Sequence, residues 1–358
     1  MVTPTLTTEE ILTTLRKVKY PGFSRDIVSF GVVKDARLDG ANVSLALQIP
    51  SQDPEVIAKV QAAARETLGS LPGIGEIHIQ AGARPAPHDS APGPSPIPGV
   101  RHIIAVASGK GGVGKTTVAV NLSLALARPG AAVGLLDADI YGPNVPLMLG
   151  TPGQPVAENG KIIPLERYGL KVMSVGYLLG DQSPVIWRGP LVAQAVRQLL
   201  HEVRWGDLDT LVVDLPPGTG DAQLTLVQSV PLTGGVIVTT PSSVALLDAE
   251  KGLRMFRKVR VPVLGIVENM SYFICPHCQA ETDVFSRGGG REVSEALGVP
   301  FLGEIPLHPA IRKGGDTGSP VVVGTPESAE ARAFRDLAEK VRRAAEAAIE
   351  AMPQLIVH

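Results

Sequence analysis

Residues 109–117 read Gly-Lys-Gly-Gly-Val-Gly-Lys-Thr-Thr, and Gly109, Gly114, Lys115 and Thr116 fall at the spacing G-x-x-x-x-G-K-[ST] of a phosphate-binding loop. The chemistry that such a loop does is electrostatic. Glycines let the backbone of Ser108, Gly109, Lys110, Gly111, Gly112, Val113 and Gly114 curl so that successive N–H groups point at phosphate oxygens, and the following helix adds its positive end. Lys115 is placed to reach the β- and γ-phosphates and the Thr116 hydroxyl to ligate Mg²⁺, and Thr117 completes the set of expected nucleotide-binding residues in the loop. ATP with Mg²⁺ is therefore the expected ligand.

Three further positions fall at the ends of apolar runs, where an open α/β sheet binds its ligands. Leu135-Leu136-Asp137-Ala138-Asp139 closes one run with two carboxylates. Leu211-Val212-Val213-Asp214 has the form of a Walker B strand, with Asp214 placed to hold Mg²⁺ through a water. Asn269 follows the run from Pro262 to Glu268.

The chain has two cysteines, in Cys275-Pro276-His277-Cys278. Three chemistries compete for them. A redox dithiol needs its first cysteine at a helix N-terminus, and Gln279-Ala280-Glu281-Thr282-Asp283 has no helical apolar period. A structural zinc needs four ligands, and His277 lies between the cysteines, poorly placed to close the same tetrahedron. A [4Fe–4S] cluster takes four thiolates, which two chains supply at two apiece across a two-fold axis.

The elements that must position these residues alternate along the chain. Ile103–Ala107, Ala132–Asp137, Leu170–Gly176, Leu211–Leu215, Val236–Thr240, Pro262–Glu268 and Phe301–Ile305 are short apolar runs, with helical stretches such as Thr116–Ala127 between them. This pattern predicts a mostly parallel sheet flanked by helices. Glu327–Ala351 is a closing amphipathic helix whose mixed charges suit packing on the sheet better than lying on a membrane. Ahead of this region, residues 81–99 hold six prolines and no apolar period, which reads as a linker. The expected division is 1–82, a linker over 83–99, and 100–358. In the first part, Thr7-x-x-Glu10 is a capping box opening a helix to about Val18. Ile27–Arg37 and Ala41–Ile49 read as strands around the turn Asp39-Gly40. Asp53 caps a helix from Pro54 to about Leu68, and Gly75–Gln80 is a final strand.

Composition narrows the class. Hydrophobic residues make up 44% and aromatic residues only 4%, so the core is aliphatic, as parallel sheets favour. A formal net charge of −2 argues against coating nucleic acid by charge. No apolar run approaches bilayer length and the first residues lack the pattern of a secretory signal, so a cytoplasmic protein with neither nucleic-acid nor membrane partners is expected.

The pattern GKGGxGKT, with Lys110 ahead of Lys115, resembles the deviant P-loop ATPases of the nitrogenase iron protein, Min and Par group. That resemblance implies that Lys110 crosses a dimer interface to the partner's nucleotide and that Asp139 orients the attacking water. It also implies that the Gly218 N–H, in Pro216-Pro217-Gly218-Thr219-Gly220, senses the γ-phosphate, and that Asn269 reads the adenine edge. The first 80 residues resemble a small domain of iron–sulfur assembly proteins, over Asp26–Asp35. That family often carries a cysteine where this chain has Pro50-Ser51-Gln52-Asp53, which implies docking without thiol chemistry. Together with DADIYGPN, DLPPGTGD and ENMSYFICPHC, these motifs resemble the Mrp/ApbC family of iron–sulfur carrier ATPases. The family implies a homodimer with a bridging [4Fe–4S] cluster, slow ATP hydrolysis, and delivery to apo-proteins, with scaffold proteins as further partners. A Par- or Min-type positioning ATPase with a zinc or redox CxxC is the alternative.

Overall fold

The computed structural model describes residues 6–21, 26–28, 31–49, 54–83, 94–178, 189–278 and 280–351. The chain divides into two compact units, Met1–Pro92 and Gly93–His358.

The first unit contains α1 (Thr8–Leu15), β1 (Val33–Asp39), β2 (Asn42–Ile49), α2 (Pro54–Gly69) and β3 (Ile77–Ala83). The capping box forms as expected, since the Thr7 N–H donates to Glu10 and the Glu10 N–H donates back to the Thr7 hydroxyl. β1 and β2 pair antiparallel with Asp39 opposite Asn42, and Gly40 takes φ +60° in the loop between them. After α2, β3 lies parallel to β2. Ile11, Leu15, Val43, Leu45, Leu47, Val60, Ala64 and Leu68 form the core. The expected first strand begins later than Ile27. Hydrogen bonds from Gly31 N–H to Val28 and from Val32 N–H to Ile27 close a turn there, and Gly31 sits at φ +72°, which a strand cannot continue through. Ser29, Phe30, the stretch 50–53 with its expected cap Asp53, and 84–93 of the expected linker lie outside the described residues.

The second unit runs β4 (Val100–Ala107), α3 (Lys115–Leu126), β5 (Val133–Asp137), α4 (Val145–Leu149), β6 (Ala157–Glu158), β7 (Lys161–Ile162), β8 (Leu165–Arg167), β9 (Leu170–Ser174), α5 (Gly189–His201), β10 (Leu208–Asp214) and α6 (Asp221–Ser229). It continues through β11 (Gly234–Thr239), α7 (Ser243–Lys258), β12 (Val263–Ile274), β13 (Glu281–Thr282), α8 (Gly289–Leu297), β14 (Phe301–Leu307), α9 (Pro309–Asp316), α10 (Val321–Gly324) and α11 (Ala329–Glu350). The end of the stretch read as a linker belongs here, because Ile97 is buried in this unit's core and the Ser95 N–H donates to Ser229.

The sheet order is β14-β12-β11-β4-β10-β5-β9, all parallel, with β8 antiparallel at the edge beside β9. Every residue of β5 and β11 is buried, which is why these strands read as unbroken apolar runs. The chain leaves β4 towards β5 on one side and later returns to β11 on the other. The carboxyl end of β4 is thus a switch point, where a crevice opens. α11 buries Phe334, Leu337, Ala338, Val341 and Ala345. No helix among the described residues is long and apolar enough to cross a membrane.

Candidate functional site

β4 ends at Ala107, and the loop after it enters α3 at Lys115. Two glycines in this loop are fixed by what lies against them. A Cβ on Gly109 would stand 2.0 Å from the Asp248 carbonyl oxygen of α7. Gly114 has φ +78°, and a Cβ there would stand 2.2 Å from Asn269 Nδ2. Both contacts are too close for any side chain.

Lys115 is buried, with Nζ 2.7 Å from Asp214 Oδ1 and 3.5 Å from Asp139 Oδ2. The Thr116 hydroxyl donates to Asp214 Oδ2 at 2.7 Å. Asp139 therefore faces the lysine, but its sequence neighbour Asp137 does something else. Asp137 lies fully buried beneath the loop and accepts from Asp139 N–H (3.1 Å), Val145 N–H (3.2 Å) and the Ser174 hydroxyl (2.9 Å). It braces the segment that carries Asp139. Burial, reinforced by the charge of Asp214, pushes the Asp137 carboxyl up to about 7. Burial also pushes Asp214 upwards.

The Gly218 N–H donates to the Ser108 carbonyl at 2.9 Å, latching the Pro216–Gly220 turn to the loop. The Ser108 hydroxyl in turn donates to the Lys110 carbonyl at 2.9 Å. Asn269 is buried, and its Nδ2 donates to the Val113 carbonyl at 2.8 Å, so it supports the loop directly. Of the residues predicted from sequence, Ser108, Lys110, Gly111, Gly112, Gly114, Lys115, Thr116, Thr117 and Asp139 line one cleft of about 350 Å³, whereas Asp214, Gly218 and Asn269 bond to its wall from behind and Cys275 and Cys278 are not part of it. Sequence reasoning missed the far wall. Asn144, Leu147 and Met148 come from the α4 region, and Ile311, Arg312, Gly315 and Asp316 come from α9. The available signal was His308-Pro309 at the end of an apolar run, which forms the N-cap and first position of α9. The donors around Lys115 are hard oxygens from Thr116, Asp139 and Asp214, the chemistry that suits Mg²⁺.

β12 does not stop at Glu268, as the sequence led one to expect, but runs on to Ile274. Met270 at φ +54° marks an irregularity in its register with β14, after which pairing resumes at Phe273. β13 pairs antiparallel with Phe273 and Ile274, and the Cys275 N–H donates to Ala280 at 3.0 Å. The Cys275–Cys278 loop is therefore the tip of a short hairpin, and Cys275 does not sit at a helix N-terminus. Cys275 is half-buried and Cys278 exposed. The backbone N–H groups of Cys278 and His277 point at the Cys275 sulfur and, helped by the Cys278 thiol, hold its pKa below the usual thiol value. The Cys278 thiol lies beside the Cys275 sulfur. Among the described residues no group of three or more His, Cys, Asp or Glu side chains is placed to hold a metal.

The switch-point loop, its buried lysine and the facing carboxylates define a P-loop nucleotide-binding α/β protein. A family described as the NUBPL iron-transfer P-loop NTPase matches residues 99–342, and one described as iron–sulfur cluster assembly protein matches residues 8–79. An iron–sulfur cluster carrier protein of Synechocystis is 47% identical over 94% of this chain and 97% of its own length. The mouse iron–sulfur cluster transfer protein NUBPL is 51% identical over 70% of this chain and 80% of its own. Among solved structures, a nucleotide-binding protein of Archaeoglobus fulgidus in complex with ADP matches with TM-score 0.57 and 39% identity, covering 66% of this chain and 92% of that one. The cell division ATPase MinD of Pyrococcus furiosus matches with TM-score 0.54 and 27% identity, over 68% and 98% respectively. The chain belongs to the NUBPL-type family of iron-transfer P-loop NTPases.

Proposed function

We propose that this protein is a homodimeric carrier that holds a [4Fe–4S] cluster on Cys275 and Cys278 of two chains and passes it to apo-proteins, with ATP bound and hydrolysed at the P-loop. One observation carries this: two free thiols sit side by side at a hairpin tip, half the ligands a cluster needs, with no metal-holding group of three or more side chains among the described residues. Relatives named as cluster carriers and transfer proteins support it. Reduced thiols and a labile cluster suit a cytoplasmic compartment.

In this reading the loop N–H groups and Lys115 hold the phosphates. Thr116 and Asp214 would hold Mg²⁺, which would supply charge neutralisation at the phosphoryl oxygens. Asp139, held by the Asp137 brace, orients a water whose oxygen bonds to the γ-phosphorus as the bond to the ADP oxygen breaks, giving ADP and phosphate. To sense a γ-phosphate, the Gly218 N–H exchanges its bond to Ser108 for one to the nucleotide. Lys110 reaches the nucleotide of the second chain. Asn269 holds Val113 and contacts adenine with the remainder of its amide.

Anaerobic reconstitution with ferrous iron and sulfide tests the cargo. The expected product is a dimer with about four irons, a number that follows from four thiolates per cluster. Stoichiometric iron on a monomer would reject the bridging site, and tight zinc without iron would reject the cargo.

The small unit has its own core and no cysteine, and its proposed role is to dock partners. A protein spanning residues 93–358 is expected to fold and keep ATP turnover within about twofold of the full chain, as separate cores allow. Loss of folding or turnover in that fragment, measured by circular dichroism and phosphate release, would show that the division is wrong.

A further inference from the structure

The hairpin that presents the thiols is too short to hold itself. Its second strand, β13, has two residues, and even full two-stranded hairpins are marginal in water. Its geometry must come from outside, and one side chain touches both of its strands. The Arg287 guanidinium lies 4.1 Å from the centre of the Tyr272 ring on β12. Its Nη1 donates to Glu281 on β13 at 2.9 Å. Its Nε and Nη2 donate to Glu304 on β14 at 2.9 and 2.7 Å. One planar fork thereby ties both strands of the hairpin to the body of the sheet, a geometry that a lysine cannot reproduce.

Arg287 is itself anchored. The next residue, Gly288, donates its N–H to the buried carboxylate of Glu268 at 2.9 Å, and Gly290 donates to the other oxygen of the same group. Glu268 also accepts from the Ser271 hydroxyl at 2.6 Å. The segment that returns from the hairpin is thus pinned to β12 on either side of the Met270 irregularity. With its guanidinium engaged by Glu281 and Glu304, Arg287 acts on the sulfurs through the backbone that holds them and not through its charge.

We propose that Arg287 is the positioning residue of the thiolate site, fixing the hairpin so that Cys275 and Cys278 converge on an iron–sulfur cluster and set how fast it is released. The inference rests on the carrier function proposed above. Outer partners that orient metal ligands typically change metal retention by about 10–100-fold when removed.

The full-length protein, Arg287→Met, Arg287→Lys and Glu281→Gln are each reconstituted with iron and sulfide, and cluster loss to a chelator is followed by the decay of its visible absorption. Arg287→Met is expected to release the cluster about tenfold faster, Arg287→Lys to fall between it and the parent, and Glu281→Gln to shift the same way by less. ADP affinity, a readout of the rest of the fold, stays unchanged in all three. Release from Arg287→Met at the parental rate would overturn the inference while leaving the carrier reading intact. Failure of the parent protein itself to take up iron removes the carrier reading and the inference with it. If Arg287→Met does not fold, the Glu281→Gln rate decides, and no change there overturns the proposal.

Discussion

Lys115→Ala is expected to abolish ATP binding, whereas Asp139→Ala keeps nucleotide affinity within about threefold and loses turnover by about 100-fold, the cost of misplacing one reactant. The two residues face each other at 3.5 Å, yet their roles differ in kind. The lysine meets phosphates in ground state and transition state alike, so its loss is a loss of binding. In the proposed role the aspartate orients water, a contribution that counts only on the way to the transition state. Isothermal titration with ADP and a phosphate-release assay separate the two. Equal loss of affinity in both variants would refute the assignment of Asp139. Lys115→Ala also removes the cation that pairs with the fully buried Asp214, and breaking a buried pair of this kind costs about 3–5 kcal/mol. Its thermal unfolding is therefore measured alongside, and a lowered midpoint in a protein that still gives a folded spectrum is the anticipated result.

Cys275→Ser and Cys278→Ser are each expected to lose most of the reconstituted iron while leaving ADP affinity and the unfolding midpoint unaltered. Serine oxygen is a poor ligand for a cluster built on thiolates. The tip of the hairpin carries little of the core, with Cys278 exposed and Cys275 half-buried, so the change should stay local. Iron content by colorimetry and a thermal melt read the two effects separately. Full iron retention in either variant would exclude that cysteine as a ligand, and a collapse of the melt would show the turn to be structural.

The nucleotide half of this site was legible in the sequence because it is built from consecutive residues. A loop of glycines between a buried strand and a helix leaves one local pattern, and β5 and β10 announce their carboxylates by ending apolar runs at Asp137 and Asp214. What escaped was assembled across the chain. α9 lines the cleft with Ile311 and Arg312, but nothing in its eight residues points to a neighbour nearly 200 positions earlier. The continuation of β12 was hidden by Asn269-Met270-Ser271, polar or irregular residues that look like a strand end but bond through Asn269 to Val113 and through Ser271 to Glu268. The start of the first strand was misread because Ile27, Val28 and Val32 are apolar enough for a strand, while the hydrogen bonds of Gly31 and Val32 and the backbone angle of Gly31 tell otherwise. Arg287 left no signal at all, since its meaning lies in Tyr272, Glu281 and Glu304 converging on it in space.

The crowding of acids around Lys115 has a further consequence, for the ionic form in which a nucleotide enters. Asp139 and Asp214 lie against the buried Lys115 ammonium, and the neighbouring Asp137, held up first by burial and then by the charge of Asp214, tends to keep its proton up to about pH 7. A bare triphosphate arriving here would bring its negative charge up to Asp139 and Asp214, carboxylates that already engage Lys115, at separations where water screens little. The loop is therefore expected to discriminate against the free anion and to favour the nucleotide that brings a divalent ion with it, so that magnesium acts as an entry requirement as much as an aid to hydrolysis.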